Sequence, residues 1–516
     1  MPSRLFAPFV AIWAFHRYLR HAPFALALAG GAALRWTATL AYPHGLWFTG
    51  DSYFYVGYAL RPTPSPSKTL GYSFVLRLLE PLHSLTAVVV VQHLMGLAIA
   101  VMAYAVLCRA GLPAWASALV TLPVLYDAYQ VELEHLLMSE TLFMFLIAAA
   151  LTLLLWRVRD GKGPAWWTAL AAGLLLGYAV LVRSAGAPLI PVALLCLLLW
   201  RRGWRPALAF GAAAAVPIAA YALWFHAERG TYALTTSDGI YLWGRTAGFA
   251  DCAKMHPPPD QAALCLDPAT KAENDAPGHL IWRSDIPPRE LLTPVVSPEA
   301  NSTLRAFSVR AILAQPGDYL QAIGDGIGRA FSPRRYHYPN ATTERLYHFP
   351  DRPQLFPSGL AYATRTGHPG TVLADAMHYG RTGTPSEVVQ PYADRMVGYQ
   401  RHWFLPGPAI GAVFGLGVVA VAAARRRRRE VLLVWGTAAT LLLFPIASAD
   451  FDYRYVVPAV PFACFAVGLG LSAIRARADG KDTGRADAGR TGAETVSRWW
   501  GSRGSRRRET DRASVP

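Results

Sequence analysis

Residues 22–58, APFALALAGGAALRWTATLAYPHGLWFTGDSYFYVGY, set a lone acid, Asp51, directly after an apolar run of membrane length. About twenty apolar residues suffice for a helix across a hydrocarbon core of about 30 Å. A span is therefore expected over about 22–42. Around Asp51 stand Trp47, Phe48, Tyr53, Phe54, Tyr55 and Tyr58. Such a stretch is either an interfacial aromatic belt with one solvated acid or a loop built to hold a carboxylate for chemistry.

The rest of the chain has the same character. Of its 516 residues 53% are hydrophobic and 16% charged, the latter well below the soluble norm of about a quarter. Mean hydropathy is +0.24. The composition predicts an all-α polytopic membrane protein with about ten transmembrane helices. The spans are read at about 22–42, 86–108, 112–126, 139–156, 165–182, 186–200, 206–226, 407–424, 431–447 and 456–474. The net charge of +16 does not point to nucleic acid, because the basic residues sit in short runs between apolar segments: Arg157, Arg159 and Lys162; Arg201, Arg202 and Arg205; Arg425 to Arg429. That is the positive-inside pattern. It places both termini in the cytoplasm of a multi-pass protein of the cell membrane. Arg4, Arg17 and Arg20 precede the first span without a small-residue cleavage site after it, so this span is expected to be an uncleaved signal anchor.

Four regions follow. Residues 1–226 form an N-terminal membrane module with catalytic outer loops. Residues 227–405 are an extracytoplasmic insertion, part helical and part irregular, with a helix expected near 303–331. Residues 406–474 supply the last three spans, and 475–516 a disordered basic tail able to touch anionic lipid. Residues 70–85 place Leu70, Phe74, Leu78 and Leu82 at helical spacing, which suits a helix lying in the interface. Cys252 and Cys265 lie in the insertion, where a disulfide closing a short Pro-rich loop is expected. A zinc site is not expected there, since His256 is the one nearby histidine and other ligands are not at useful spacing.

On this topology the outer boundaries hold Asp51, Asp127, Glu132, Glu134, Glu140, Asp450 and Asp452. Glu132, Glu134, His135 and Glu140, four groups able to act as acid, base or metal ligand, crowd a short outer loop that runs into the fourth span, and Glu140 and His135 are catalytic candidates beside Asp51. Glu140 at a helix start is explained equally by the helix dipole. Arg183 ends the fifth span on the outer side, where an arginine needs an anionic partner, and phosphate suits its planar fork. Arg454 and Tyr455, further candidates for binding the donor phosphate, open the last span beside Asp450 and Asp452. No Walker loop, dinucleotide fingerprint or HExxH motif is present. Acids for a hydroxyl or metal, with arginines for phosphate, fit a substrate that carries its own phosphate and lipid anchor, such as a polyprenyl-phosphate sugar.

In this order the motifs TGDSYFYVGYA, KTLGYSFVLRLLEPL, HLLMSETLF, GYAVLVRSAG, RAILAQPGDYLQAIGDGIGRAF and DYRYVVPAVP resemble the GT-C class of integral-membrane glycosyltransferases. Bacterial enzymes using phospholipid-carried sugars, relatives of the protein mannosyltransferases and cell-wall arabinosyltransferases, are the nearest in character. The resemblance covers nearly all of residues 20–474. It implies Asp51 as catalytic base, Glu140 as the acid of the second outer loop, and Arg183 and Arg454 at the donor phosphate. In such enzymes a divalent metal, Mg or Mn, often lies near this acid; if one is bound here, Asp51 and Glu134 are the ligands expected. Many relatives carry two adjacent acids in the first loop, whereas Ser52 follows Asp51 here. The acceptor would be a glycan, lipid or protein hydroxyl. Two other classes stay open: a transporter or flippase using the same acids as ion sites, and a scaffold whose insertion binds a partner. Acids at span ends, and the lack of an internal repeat, favour interfacial chemistry.

Overall fold

The computed structural model describes residues 19–157, 163–200, 203–357, 359–361 and 370–478. The N-terminal flank with Arg4 and Arg17, the loop residues Arg159 and Lys162, and the tail from 479 onward lie outside the described residues. Residues 475–478, expected in the tail, continue the last helix, Tyr453–Ala478.

The chain is an all-α, multi-pass membrane protein, but ten full-length spans are not what it forms. Five described helices are long and apolar enough to cross: Ala22–Ala41, Leu85–Arg109, Arg205–Arg229, Arg428–Ser448 and Tyr453–Ala478. A sixth is possible as the pair Tyr392–His402 and Gly407–Ala423, bent by 59°. The other apolar runs fold as the shorter helices Ala114–Tyr126, Glu140–Leu155, Trp166–Val182 and Ser184–Leu199. At about 1.5 Å per residue these fall short of the hydrocarbon thickness. Polar or Pro-containing breaks end them early: Asp127 stops the first and Arg183 the third.

Basic helix ends gather at one end of the bundle. Arg109 Nε donates to the Trp156 carbonyl (2.5 Å), and Arg427 Nη1 to the Ala110 carbonyl (2.5 Å) and Ser472 Oγ (3.0 Å). At the opposite end Arg454 pairs with Asp51 and Arg183 with Glu140.

After the first span, Gly45 and Gly50 turn the chain with φ of +73° and +84°. The intervening loop is stitched to residues 135–137: Leu46 N–H donates to the His135 carbonyl (3.1 Å), and Leu137 N–H to the Leu46 carbonyl (2.9 Å). Helix Asp51–Leu60 starts there. The stretch 70–85, expected to be helical, forms the helix Gly71–Leu79. Tyr72 and Leu76 face the core, while Leu78 and Leu82 are exposed. Gly71 packs so closely on the Leu181–Val182 backbone that a Cβ would sit 2.5 Å from it. This contact carries the preceding loop, with Lys68, to the end of helix Trp166–Val182.

The insertion has two parts. Residues 240–311 build their own core around Trp243, Leu304 and Phe307. Cys252 and Cys265 are joined beside it, with Cα atoms 6.4 Å apart. Opening this short loop by Cys252→Ser is expected to cost about 3 kcal/mol, read as faster hydrogen exchange confined to 240–311. The later part, with Tyr338, Tyr347, Phe349, Tyr379 and Met396, packs into the membrane module's core. The single helix expected over 303–331 is two, Pro298–Ala314 and Pro316–Ala330. Pro316 lacks the N–H that a continuous helix needs.

Candidate active site

Asp51 is the first residue of its helix, where the dipole favours an anion. One carboxylate oxygen meets the Lys68 ammonium and the other the Arg454 guanidinium. Arg454 Nε also lies 3.1 Å from Asp452 Oδ2. Asp452 caps the turn that presents Arg454 and accepts the Tyr347 hydroxyl. The Tyr455 ring stands between two arginines, with guanidinium carbons of Arg183 at 5.5 Å and Arg454 at 5.3 Å from its centroid. Arg183 is held from behind by Glu140, which is fully buried, and by Ser139 Oγ (3.3 Å). Ser139 in turn shares a 3.0 Å hydrogen bond with the Tyr55 hydroxyl.

Lys68 went unnoticed in the sequence. Its signal is its rarity: it is one of five lysines, alone in the first 161 residues, in the loop that follows the Asp51 helix. Its ammonium lies 5.3 Å from the Phe54 ring centroid and 5.8 Å from that of Tyr55. Burial first, then the nearby Arg454 and Arg183, push it down to about 7.

Two cavities meet at this cluster. One, of about 650 Å³, runs under the insertion past Phe48, Phe54, Trp282 and Thr342. The other, of about 590 Å³, is bounded by Arg183, Arg305, Phe444 and Pro445. Asp51, Ser67, Lys68, Tyr241, Arg454 and Tyr455 line both and form the wall between them. Asp450 faces the larger one. It accepts from the Tyr338 hydroxyl (2.5 Å) and Gly278 N–H (2.7 Å), and burial raises it to about 6.

The structure thus brings Asp51, Arg183, Arg454 and Tyr455 to one place, with Glu140 directly behind Arg183. It puts Glu134 and His135 elsewhere. Helix Ala114–Tyr126 is followed, after Asp127, by a second short helix, Ala128–His135, whose residues are all buried. Glu134 accepts both Arg35 Nε and Nη2 at 2.7 Å and lies 3.1 Å from His93 Nδ1. His135 shares a 2.9 Å hydrogen bond with His93 Nε2 and donates from Nε2 to the Tyr42 carbonyl at 2.9 Å. Arg35 and His93 lie within the first two described spans, so this acidic segment packs against the bundle while its end, residues 135–137, stays bonded to the loop after the first span. Arg35 and His93, within two of the described spans, are the partners of Glu134, an acid expected at a span end.

The donor set does not fit a divalent metal. Among the described residues no three His, Cys, Asp or Glu side chains converge to hold one. Both Asp51 oxygens face cations, and Glu134 is committed to Arg35.

Residues 84–236 match the family model described as dolichyl-phosphate-mannose-protein mannosyltransferase. This stretch includes Glu140 and Arg183 but not Asp51, Lys68 or Arg454. No curated protein matches the chain. Among solved structures it is similar to the archaeal oligosaccharyltransferase AglB from Archaeoglobus fulgidus in complex with an inhibitory peptide and a dolichol-phosphate. The TM-score is 0.38 at 13% identity, covering 89% of this chain and 50% of that one. It is also similar to the Archaeoglobus fulgidus oligosaccharyltransferase tethered by a disulfide to an acceptor peptide containing the NVT sequon, with a TM-score of 0.37 at 13% identity, covering 88% and 49%. The chain spans about half the length of these structures.

Proposed function

We propose that the protein transfers a sugar from a polyprenyl-phosphate donor to an acceptor hydroxyl on the extracytoplasmic side of the membrane. The observation that carries this reading is the wall between the two cavities, where one carboxylate, Asp51, stands among Lys68, Arg454 and Tyr455. The cavity with Arg183 and Arg305 suits a phosphate, and Phe444 and Pro445 give its lipid an apolar flank. The cavity lined by aromatics and hydroxyls suits the acceptor. The match of residues 84–236 to a mannosyltransferase family using dolichyl phosphate supports a lipid-phosphate donor. The basic helix ends then face the cytoplasm together with both termini. Residues 1–226 and 406–474 act as one catalytic module, with 227–405 roofing the acceptor cavity.

Without donor, Asp51 holds Lys68 and Arg454 in place. An arriving phosphate competes for both cations and releases the carboxylate. Asp51 then takes the proton of the acceptor hydroxyl as that oxygen bonds to the anomeric carbon. The bond from this carbon to the phosphate oxygen breaks, and its electron pair leaves on polyprenyl phosphate. Arg183, Arg454 and Lys68 stabilise the charge that develops there. A single displacement inverts the anomeric configuration. Glu140 is a positioning residue acting through Arg183.

A second reading, a transporter or lipid flippase, is favoured by one observation: ionisable residues inside a membrane mark pathways, and Arg35, His93, Glu134 and His135 meet in the bundle interior. These side chains line neither large cavity. Membranes containing the protein, given a panel of radiolabelled polyprenyl-phosphate sugars, separate the two readings. Cleavage of one donor supports transfer and names the sugar. Movement of intact lipid between leaflets supports transport instead.

The Lys68 ammonium gives a pH signature. It is charged below about 7 and neutral above. Donor KM is therefore expected to rise as pH climbs from about 6 to 8, and Lys68→Met to flatten that rise. An unchanged slope in Lys68→Met removes this lysine from the donor site.

A further inference from the structure

A third cavity, of about 320 Å³, opens beside the proposed acceptor cavity inside the insertion. The two share Ser67, Tyr241, Ile281 and Trp282, so they are one trough with a shoulder. At the shoulder stands Trp282, 61% exposed. An indole this open, in a segment with its own buried core, contributes little to folding. Its neighbour is fixed: Arg289 donates from Nε (3.0 Å) and Nη2 (2.8 Å) to the Ile281 carbonyl, which holds the guanidinium carbon 5.5 Å from the Trp282 ring centroid. Nη1 takes no part in either bond. Beyond it the cavity walls are Thr293, Pro294, Val295 and Val296.

An open aromatic face with a fixed multi-donor cation beside it, set among hydroxyls and short apolar walls, suits a ring with an apolar face and a polar edge. A pyranose has both. We infer that the acceptor is a saccharide of at least two units, whose accepting unit lies by Asp51 while a neighbouring unit stacks on Trp282 with its hydroxyls toward Arg289. A peptide acceptor fits less well, because the shoulder offers no sheet edge for main-chain pairing and the shared residues present rings and hydroxyls. The inference rests on the transferase reading above and deepens it by naming the acceptor class.

The test uses the full-length protein in nanodiscs on an array of immobilised mono- to tetrasaccharides of common hexoses and pentoses, with Ser/Thr peptides alongside. Wild type is expected to retain the longer members of one series at least tenfold over its monosaccharide. Trp282→Ala loses about tenfold on those members, the scale of one aromatic contact. Trp282→Phe keeps most of the preference. Arg289→Gln loses part of it and carries the test should Trp282→Ala not fold. Retention of peptides but not saccharides, absence of a length preference, or wild-type binding by Trp282→Ala with Arg289→Gln overturns the inference. Donor cleavage by wild type is measured on the same preparation. Cleavage without saccharide binding defeats the trough alone, and saccharide binding with no cleavage of any donor defeats the transferase reading alone.

Discussion

Asp51→Asn is expected to lower sugar transfer by roughly 10²–10⁴-fold, the usual contribution of a positioned general base, with the donor KM unchanged or reduced. The direction of KM follows from the ion pairs. Asp51 is the anion that holds Lys68 and Arg454 before donor arrives. Removing its charge frees both cations for phosphate and takes a competing carboxylate out of the way. The asparagine has nearly the same shape and stays at the start of its helix. The structural loss is thus confined to about 0.3–1 kcal/mol of helix-dipole interaction and to ion pairs on a half-open wall. Arg454→Gln is expected to raise donor KM several-fold and to lower kcat as well, because it removes a phosphate ligand that also stabilises the leaving group, while the base stays. Kinetics of the purified variants with the donor identified from the panel check both. An Asp51→Asn enzyme whose kcat is intact would show that Asp51 serves only to hold cations, and would leave another group to take the proton.

Much of this site could be read from residue types at helix boundaries. Asp51, Glu140, Arg183, Arg454 and Tyr455 come from four separated stretches, and each was marked by a charge or ring beside an apolar run. Their meeting depended on one further inference, that basic and acidic loops lie on opposite ends, and the contacts of Arg109 and Arg427 agree with it. Lys68 was hidden because it lies in a polar loop with no apolar run to frame it; only packing of Gly71 on the Trp166–Val182 helix brings it to Arg183. The separation of Glu134 and His135 from this wall has a different reason. Hydropathy treats a break in an apolar run as an exit from the membrane. At Asp127 the chain breaks but stays buried against the bundle, where the carbonyls of the helix end find a partner on another span.

That partner is Arg35, and Glu134→Ala is expected to destabilise the protein by about 3–5 kcal/mol, the cost of leaving a buried charge without its counter-ion. All five guanidinium N–H donors have acceptors: two bonds go to Glu134, and the others to the carbonyls of Val124 (2.9 Å), Leu125 (2.9 Å) and Gly31 (3.1 Å). Val124 and Leu125 belong to the last turn of helix Ala114–Tyr126, whose end carbonyls have no partner within their own helix. Arg35 thus closes a helix end in the interior, and Glu134 neutralises it. Gly96 leaves the room: a Cβ there would lie 2.1 Å from the Glu134 carboxylate. The double variant Arg35→Met/Glu134→Leu removes both charges and is expected to recover much of the loss, as apolar replacement of buried pairs does. Recovery stops short of wild type, since the Val124 and Leu125 carbonyls lose their donor. Unfolding of wild type, Arg35→Met, Glu134→Leu and the double variant in nanodiscs gives the coupling energy directly. Additive losses would mean that the two side chains do not act as a pair. The same double variant bears on function, because a folded protein without Arg35 and Glu134 that still cleaves donor confines the buried charges to architecture, while one that folds and fails gives the interior network a part in the reaction.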